Sequence, residues 1–182
     1  MRLHHMGFNP YFHSASFITR ELLQQPDIKK YARQVTQVYF YGAGCSAPQL
    51  NAIVKEGLSN CFTKARIEVG HDLKASAYAT YSGEPAITCI LGTGSNSVYF
   101  DGHEIYEEVP SLAFILGDEG SASYIGKKVL TAYFYKQMPP EAARAFEEEF
   151  NPKKDVVIDQ CTISPIPTSY LAGFGPFCPP VY

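Results

Sequence analysis

The sequence predicts an α/β protein with a mixed sheet and flanking helices, because helical and strand-like segments alternate along its first half. Three observations carry this prediction. Apolar residues recur at helical spacing behind capping residues, and runs of β-branched and aromatic residues end in glycine turns. The composition is that of a globular chain, 46% hydrophobic with 12 Phe and 13 Tyr to build a core.

Taken in order, SASFITRELLQQPDIKKYA places Phe17, Leu22 and Leu23 near helical spacing behind a serine cap, and Pro26 interrupts the run. VTQVYFYGAG alternates and ends in a glycine-rich turn, as a strand would. SAPQLNAIVKEGLSNCF carries Leu50, Ile53, Val54 and Leu58 on one helical face, with Ser46 as the N-cap and Pro48 in the first turn. ARIEV reads as a short strand and HDLKASAYATYSG as a helix stopped by Gly83. AITCILG and SNSVYFDG are strands on either side of a Gly-Thr-Gly turn.

After Gly117 the pattern becomes helical. DEGSASYIGKKVLTAYFYKQM is one long helix with acids at its start and lysines later, as the macrodipole favours. PPEAARAFEEEF is a second and NPKKDVVIDQC a third. The tail holds five of the 13 prolines and shows no register. A helix stops and a hairpin begins at YSGEP, so the expected lobes are residues 1–82 and 83–182.

Composition excludes several classes of function. The net charge of −3 and the lack of a basic cluster with interleaved aromatics argue against nucleic acid as a partner. No run approaches membrane-spanning length, and the first residues lack the apolar stretch of a signal peptide. The five cysteines are widely spaced without a Cys-x-x-Cys, which fits reduced thiols in a cytoplasmic protein. Cys45 has no flanking cation and reads as a small buried residue, while His4 and His5 lack a third ligand and read as a frayed terminus.

Three short constellations could carry chemistry. Gly92-Thr93-Gly94-Ser95-Asn96 joins two strands; its glycines would let backbone N–H groups converge on an anion, although on these residues alone a plain hairpin turn is the favoured reading. Gly117-Asp118-Glu119-Gly120-Ser121 sets two acids at a helix start. They would cap that helix, or Asp118 would accept substrate hydroxyls and help to hold a water-ligated Mg²⁺. Asp72 follows a strand and opens a helix; it is either an N-cap or a base that takes the proton of a nucleophilic hydroxyl. His71 beside it reads as a partly exposed turn residue without a partner.

The order of these stretches resembles a family. GFNPYF, VGHDLKASAYA, ILGTGSNS and FILGDEGSASYIGK follow one another as in N-acetylglucosamine kinases and, more broadly, the BadF/BadG/BcrA/BcrD-type ATPases of the actin/hexokinase/Hsp70 superfamily. The resemblance spans about Gly7 to Phe150. It implies an actin-like ATPase fold of two ribonuclease-H-like lobes, with ATP, Mg²⁺ and an amino sugar meeting in the cleft. It implies that Asn9 and Asp118 bind the sugar, that Asp72 is the catalytic base, and that Gly92, Thr93 and Gly94 form the second phosphate loop.

Two departures are visible. Ser111-Leu112-Ala113 stands where well-known members have Gly-Trp-Gly. An Asp-Gly-Gly-x-Thr first phosphate loop and the later adenosine segment are not found, so the chain is expected to be an incomplete piece with an open sheet edge, prone to self-association. The alternatives are a non-catalytic sugar-binding remnant and an activator-type ATPase. The second is disfavoured because the cysteines are not grouped to bridge an iron–sulfur cluster.

Overall fold

The run behind Ser14 folds as two helices that meet at Pro26, α1 (Ala15–Gln24) and α2 (Pro26–Tyr31), followed by a 3₁₀ turn over Ala32–Gln34. Ser14 Oγ accepts the Phe17 N–H at 3.3 Å, as a helix cap should. In the computed structural model, which describes residues 8–11 and 13–177, the chain divides into two compact units, Met1–Glu84 and Pro85–Tyr182.

The first unit continues with β1 (Gln37–Gly42), α3 (Pro48–Cys61), β2 (Arg66–His71) and α4 (Asp72–Thr80). β1 and β2 run parallel in a register from Gln37↔Arg66 to Gly42↔His71, with α3 as the crossover that a parallel pair requires. Ile18, Leu22, Ile28, Val54, Leu58 and Phe62 form its core. Gly57 lets α1 and α3 approach closely, because a Cβ there would stand 2.8 Å from the Ile18 side chain. Two local expectations are corrected. Ala47, not Ser46, holds the N-cap position of α3, with Pro48 at the first helical position. The helix after Asp72 ends at Thr80, before Gly83.

The second unit opens with the expected hairpin, β3 (Ala86–Leu91) and β4 (Ser95–Phe100), and adds a short β5 (Ile105–Tyr106). Helices α5 (Ala113–Leu116), α6 (Ala122–Phe134), α7 (Pro140–Phe150), α8 (Lys154–Thr162) and α9 (Pro167–Ala172) follow. Their core is aromatic: the Phe146 ring lies 4.9 Å from Phe150, 5.0 Å from Phe177 and 5.9 Å from Phe174 between centroids, within the range of attractive ring pairs.

The expected mixed sheet does not form among the described residues. The strands divide into a parallel pair and an antiparallel triplet. Connection length explains the division: a three-residue turn between Leu91 and Ser95 permits only antiparallel pairing, whereas fourteen-residue α3 carries the chain back for a parallel partner. The long helix predicted from Asp118 begins at Ala122, because Asp118 and Gly120 both have positive φ (60° and 78°) and break helical geometry. Helix α9 forms in the tail where no register was legible, with Pro167 at its start.

Candidate functional site

In the second unit, the glycine turn and the acidic turn are one structure. Asp118 Oδ1 accepts the Ser95 N–H at 3.3 Å, and Ser95 Oγ donates to the Glu119 carbonyl at 2.8 Å. A Cβ on Gly94 would stand 2.8 Å from Asp118 Oδ2, so the absent side chain is what admits the carboxylate. Asp118 holds φ of 60°, which Asp tolerates better than most residues, and its carbonyl accepts the Ser121 N–H at 3.0 Å. A carboxylate has about four acceptor positions. The half-buried Asp118 group uses one on Ser95 and can offer others to ligand hydroxyls.

The helix behind this turn is capped by Ser121, not by Asp118 or Glu119. Ser121 Oγ accepts the Tyr124 N–H at 3.1 Å and lies 3.2 Å from Ser123 Oγ, with both serines 1% exposed. The first two N–H groups of α6 go elsewhere: Ala122 donates to the Gly92 carbonyl at 2.9 Å and Ser123 to the Thr93 carbonyl at 3.1 Å. The helix start therefore braces the loop and is not itself open to an anion. We expect Ser121→Ala to lower unfolding stability by about 1 kcal/mol, the usual cost of a lost serine cap. A denaturant midpoint unchanged from wild type would contradict this role for the cap.

That bracing also orients the loop. A trans peptide points its C=O and N–H in opposite directions, and no cis bond occurs among the described residues. With the Gly92 and Thr93 carbonyls turned toward α6, the N–H groups of the same peptides, those of Thr93 and Gly94, point away from it. The Gly92 N–H is taken by the Gly94 carbonyl at 2.9 Å and the Ser95 N–H by Asp118. Among the described residues, two loop N–H groups and the exposed Thr93 hydroxyl thus remain as donors for an anion.

In the first unit, Asn9, Gly44, Cys45, His71 and Asp72 gather at the carboxyl end of the parallel pair, where sheets of this kind place ligands. Asn9 Oδ1 accepts the Tyr11 N–H at 3.0 Å, and the Asn9 N–H donates to His13 Nδ1 at 3.0 Å. Gly44, with φ of 81°, packs under Asn9; a Cβ there would come within 2.6 Å of its Oδ1. Cys45 is 2% exposed, and its thiol is pushed above its ordinary value by burial first and by the charge of Asp72 second. It remains a protonated core residue at neutral pH, as the sequence predicts.

His71, read from the sequence as partnerless, occupies the N-cap of α4 and stands against Asp72, its Nδ1 3.1 Å from Oδ1. The Leu73 N–H donates to Asp72 Oδ1 at 3.0 Å and reaches His71 Nδ1 at 3.3 Å. With a proton on Nδ1, both the imidazole and the amide donate to Oδ1; without it, the imidazole shares the amide proton. Either way Oδ1 is held, while Oδ2 takes no hydrogen bond among the described residues. The sequence signal for this pair was simple adjacency at a strand end.

Among the described residues, no three His, Cys, Asp or Glu side chains gather as a metal site, and no helix is long and apolar enough to cross a membrane. His4, His5 and Cys178 lie outside the described residues.

No protein-family profile matches the chain, and no curated protein matches it. Among solved structures it is similar to a Porphyromonas gingivalis protein provisionally named an N-acetylglucosamine kinase. The two share a TM-score of 0.84 and 38% identity over 94% of this chain and 61% of that one. The chain thus spans less than two thirds of the length of the structure it matches.

Proposed function

We propose that the chain carries the sugar-binding and phosphate-loop residues of an ATP-dependent amino-sugar kinase with an actin-like ATPase fold. The observation that carries this reading is the junction of Gly94, Ser95 and Asp118, which sets a hydroxyl-accepting carboxylate against a loop with outward N–H donors. The likeness to the P. gingivalis protein supports it. In the second unit Asp118 accepts hydrogen bonds from sugar hydroxyls, and in the first the Asn9 amide can both accept and donate them. Asp72, with Oδ1 pinned by the Leu73 amide, keeps Oδ2 to receive the hydroxyl proton as the oxygen attacks phosphorus. Thr93 and Gly94 present N–H groups to phosphate oxygens. Bound MgATP supplies the phosphoryl group and the cation charge that offsets its oxygens.

Sugar-dependent release of ADP from MgATP, with N-acetylglucosamine as acceptor, tests the proposal; ATP turnover that ignores every amino sugar contradicts it. Asp118→Asn keeps the left-handed backbone and removes the charge. The change from a charged to a neutral acceptor should weaken sugar binding roughly tenfold. Unchanged affinity would remove Asp118 from the sugar site.

A second reading is a protein that binds a sugar without phosphorylating it. It is favoured by the lining of the pocket beside Asp118, which among the described residues holds two acids and no lysine or arginine. It predicts sugar binding with no turnover in the same assay.

A further inference from the structure

The second unit also holds a cleft of about 250 Å³ that shares no lining residue with the pocket beside Asp118. Helices α6 and α8 each pack on α9 more than on each other, and the cleft lies between them. Both present it with one face at helical spacing: Leu130 and Phe134 from α6, and Val157, Ile158 and Cys161 from α8. Leu171 of α9 completes the lining; it is buried with Leu130 and Val157, whereas Ile158 is half exposed. The charged groups are of one sign. Lys127 and Lys154 line the cleft, and among the described residues no acid does. Lys127 Nζ donates to the Phe114 carbonyl at 2.9 Å, which leaves two of its three N–H groups, and exposed Lys154 makes no ion pair among the described residues.

Apolar walls with uncompensated cations at the edge suit an amphipathic anion. Size narrows the class further. A helix with its side chains is about 10–12 Å wide, and a stable protein interface takes about 800 Å² from each partner, more than this cleft offers. A single alkyl chain fits: one water occupies about 30 Å³ of liquid, so the cleft has room for roughly eight groups of that size. We propose that it binds a free medium-chain fatty acid, with the alkyl chain against Leu130, Phe134 and Leu171 and the carboxylate toward Lys154. Lys127 adds positive charge at the same cleft and is otherwise held by the Phe114 carbonyl.

The test is calorimetric titration of the whole chain at low salt with acetate, butanoate, hexanoate and octanoate. Affinity is expected to rise with each methylene, by up to about fourfold for one fully buried. Octanol, the same chain without the charge, is expected to bind several-fold more weakly than octanoate. Lys154→Gln, at an exposed position, is expected to weaken octanoate roughly two- to fivefold, the range of an exposed ion pair, and to leave octanol unchanged. Cys161 reports the place: octanoate should slow its alkylation, followed by peptide mass mapping, while exposed Cys89 keeps its rate. No octanoate binding, affinity that is level from acetate to octanoate, or octanol bound as tightly as octanoate overturns the proposal. So does octanoate binding that leaves Cys161 unprotected or that Lys154→Gln does not weaken. Protection of Cys161 that grows with protein concentration and not with octanoate would assign the cleft to a second copy and also overturn it. None of these readouts needs turnover, so the kinase reading is judged separately.

Discussion

In a complete enzyme that carries this segment and phosphorylates a sugar as proposed, Asp72→Asn is expected to lower turnover by roughly 10²-fold or more, the scale of a general base, with a small loss of sugar affinity. Phosphoryl transfer leaves the protein little covalent work, so positioning and proton acceptance supply much of what Asp72 would contribute. The structure makes the substitution a clean one. Asn keeps the Oδ1 acceptor that receives the Leu73 N–H, and the N-cap position belongs to His71, so α4 loses no cap. What is lost is the basicity of Oδ2. If Asp72 serves only the helix start, both turnover and stability stay at wild-type values. Steady-state kinetics beside a urea melt separates the two outcomes, and wild-type turnover would end the catalytic assignment.

Gly126→Ala is expected to destabilise the second unit by about 1–3 kcal/mol, the ordinary cost of overpacking, or more. On an exposed helix the same change would stabilise by roughly 0.5–1 kcal/mol, since glycine is a poor helix residue. Here the sign reverses, because the added Cβ would overlap the Leu171 carbonyl oxygen and its carbon. That atom is backbone at the end of α9 and cannot rotate aside, so α6 and α9 must separate. Gly175 makes a second close approach, with a Cβ there 2.7 Å from the Ala122 carbonyl. The melting temperature should fall by roughly 2–4 °C per kcal/mol for a chain of this size. A variant as stable as wild type would mean that the two helices do not meet as described.

Much of the first unit was legible because its signals are local. Ser14 three residues before Phe17, Pro26 inside a helical run, and Asp72 after an apolar strand each declare themselves within a few residues. The second unit hid more. Asp118 and Ser121 are both good capping residues, and only the left-handed backbone of Asp118 hands the cap to Ser121. The pairing of Asp118 with Gly94 joins residues 24 apart, and no periodicity encodes which turn meets which. The division into two sheets was equally hidden, since strand pattern reports a face and an edge but not a partner. His71 was passed over because a lone histidine gains its meaning from the carboxylate it is folded against.

The bonds from Ala122 and Ser123 to the Gly92 and Thr93 carbonyls also have an electronic consequence. A carbonyl that accepts a hydrogen bond withdraws electron density through its amide, and the N–H of the same peptide becomes a stronger donor. The two amides polarised in this way are those whose N–H groups belong to Thr93 and Gly94. The positive end of α6, thirteen residues long, is in effect handed forward through two peptide planes to the tip of the loop. A helix that never touches the anion would still tune its affinity, and the loop would attract negative charge without a lysine or arginine of its own.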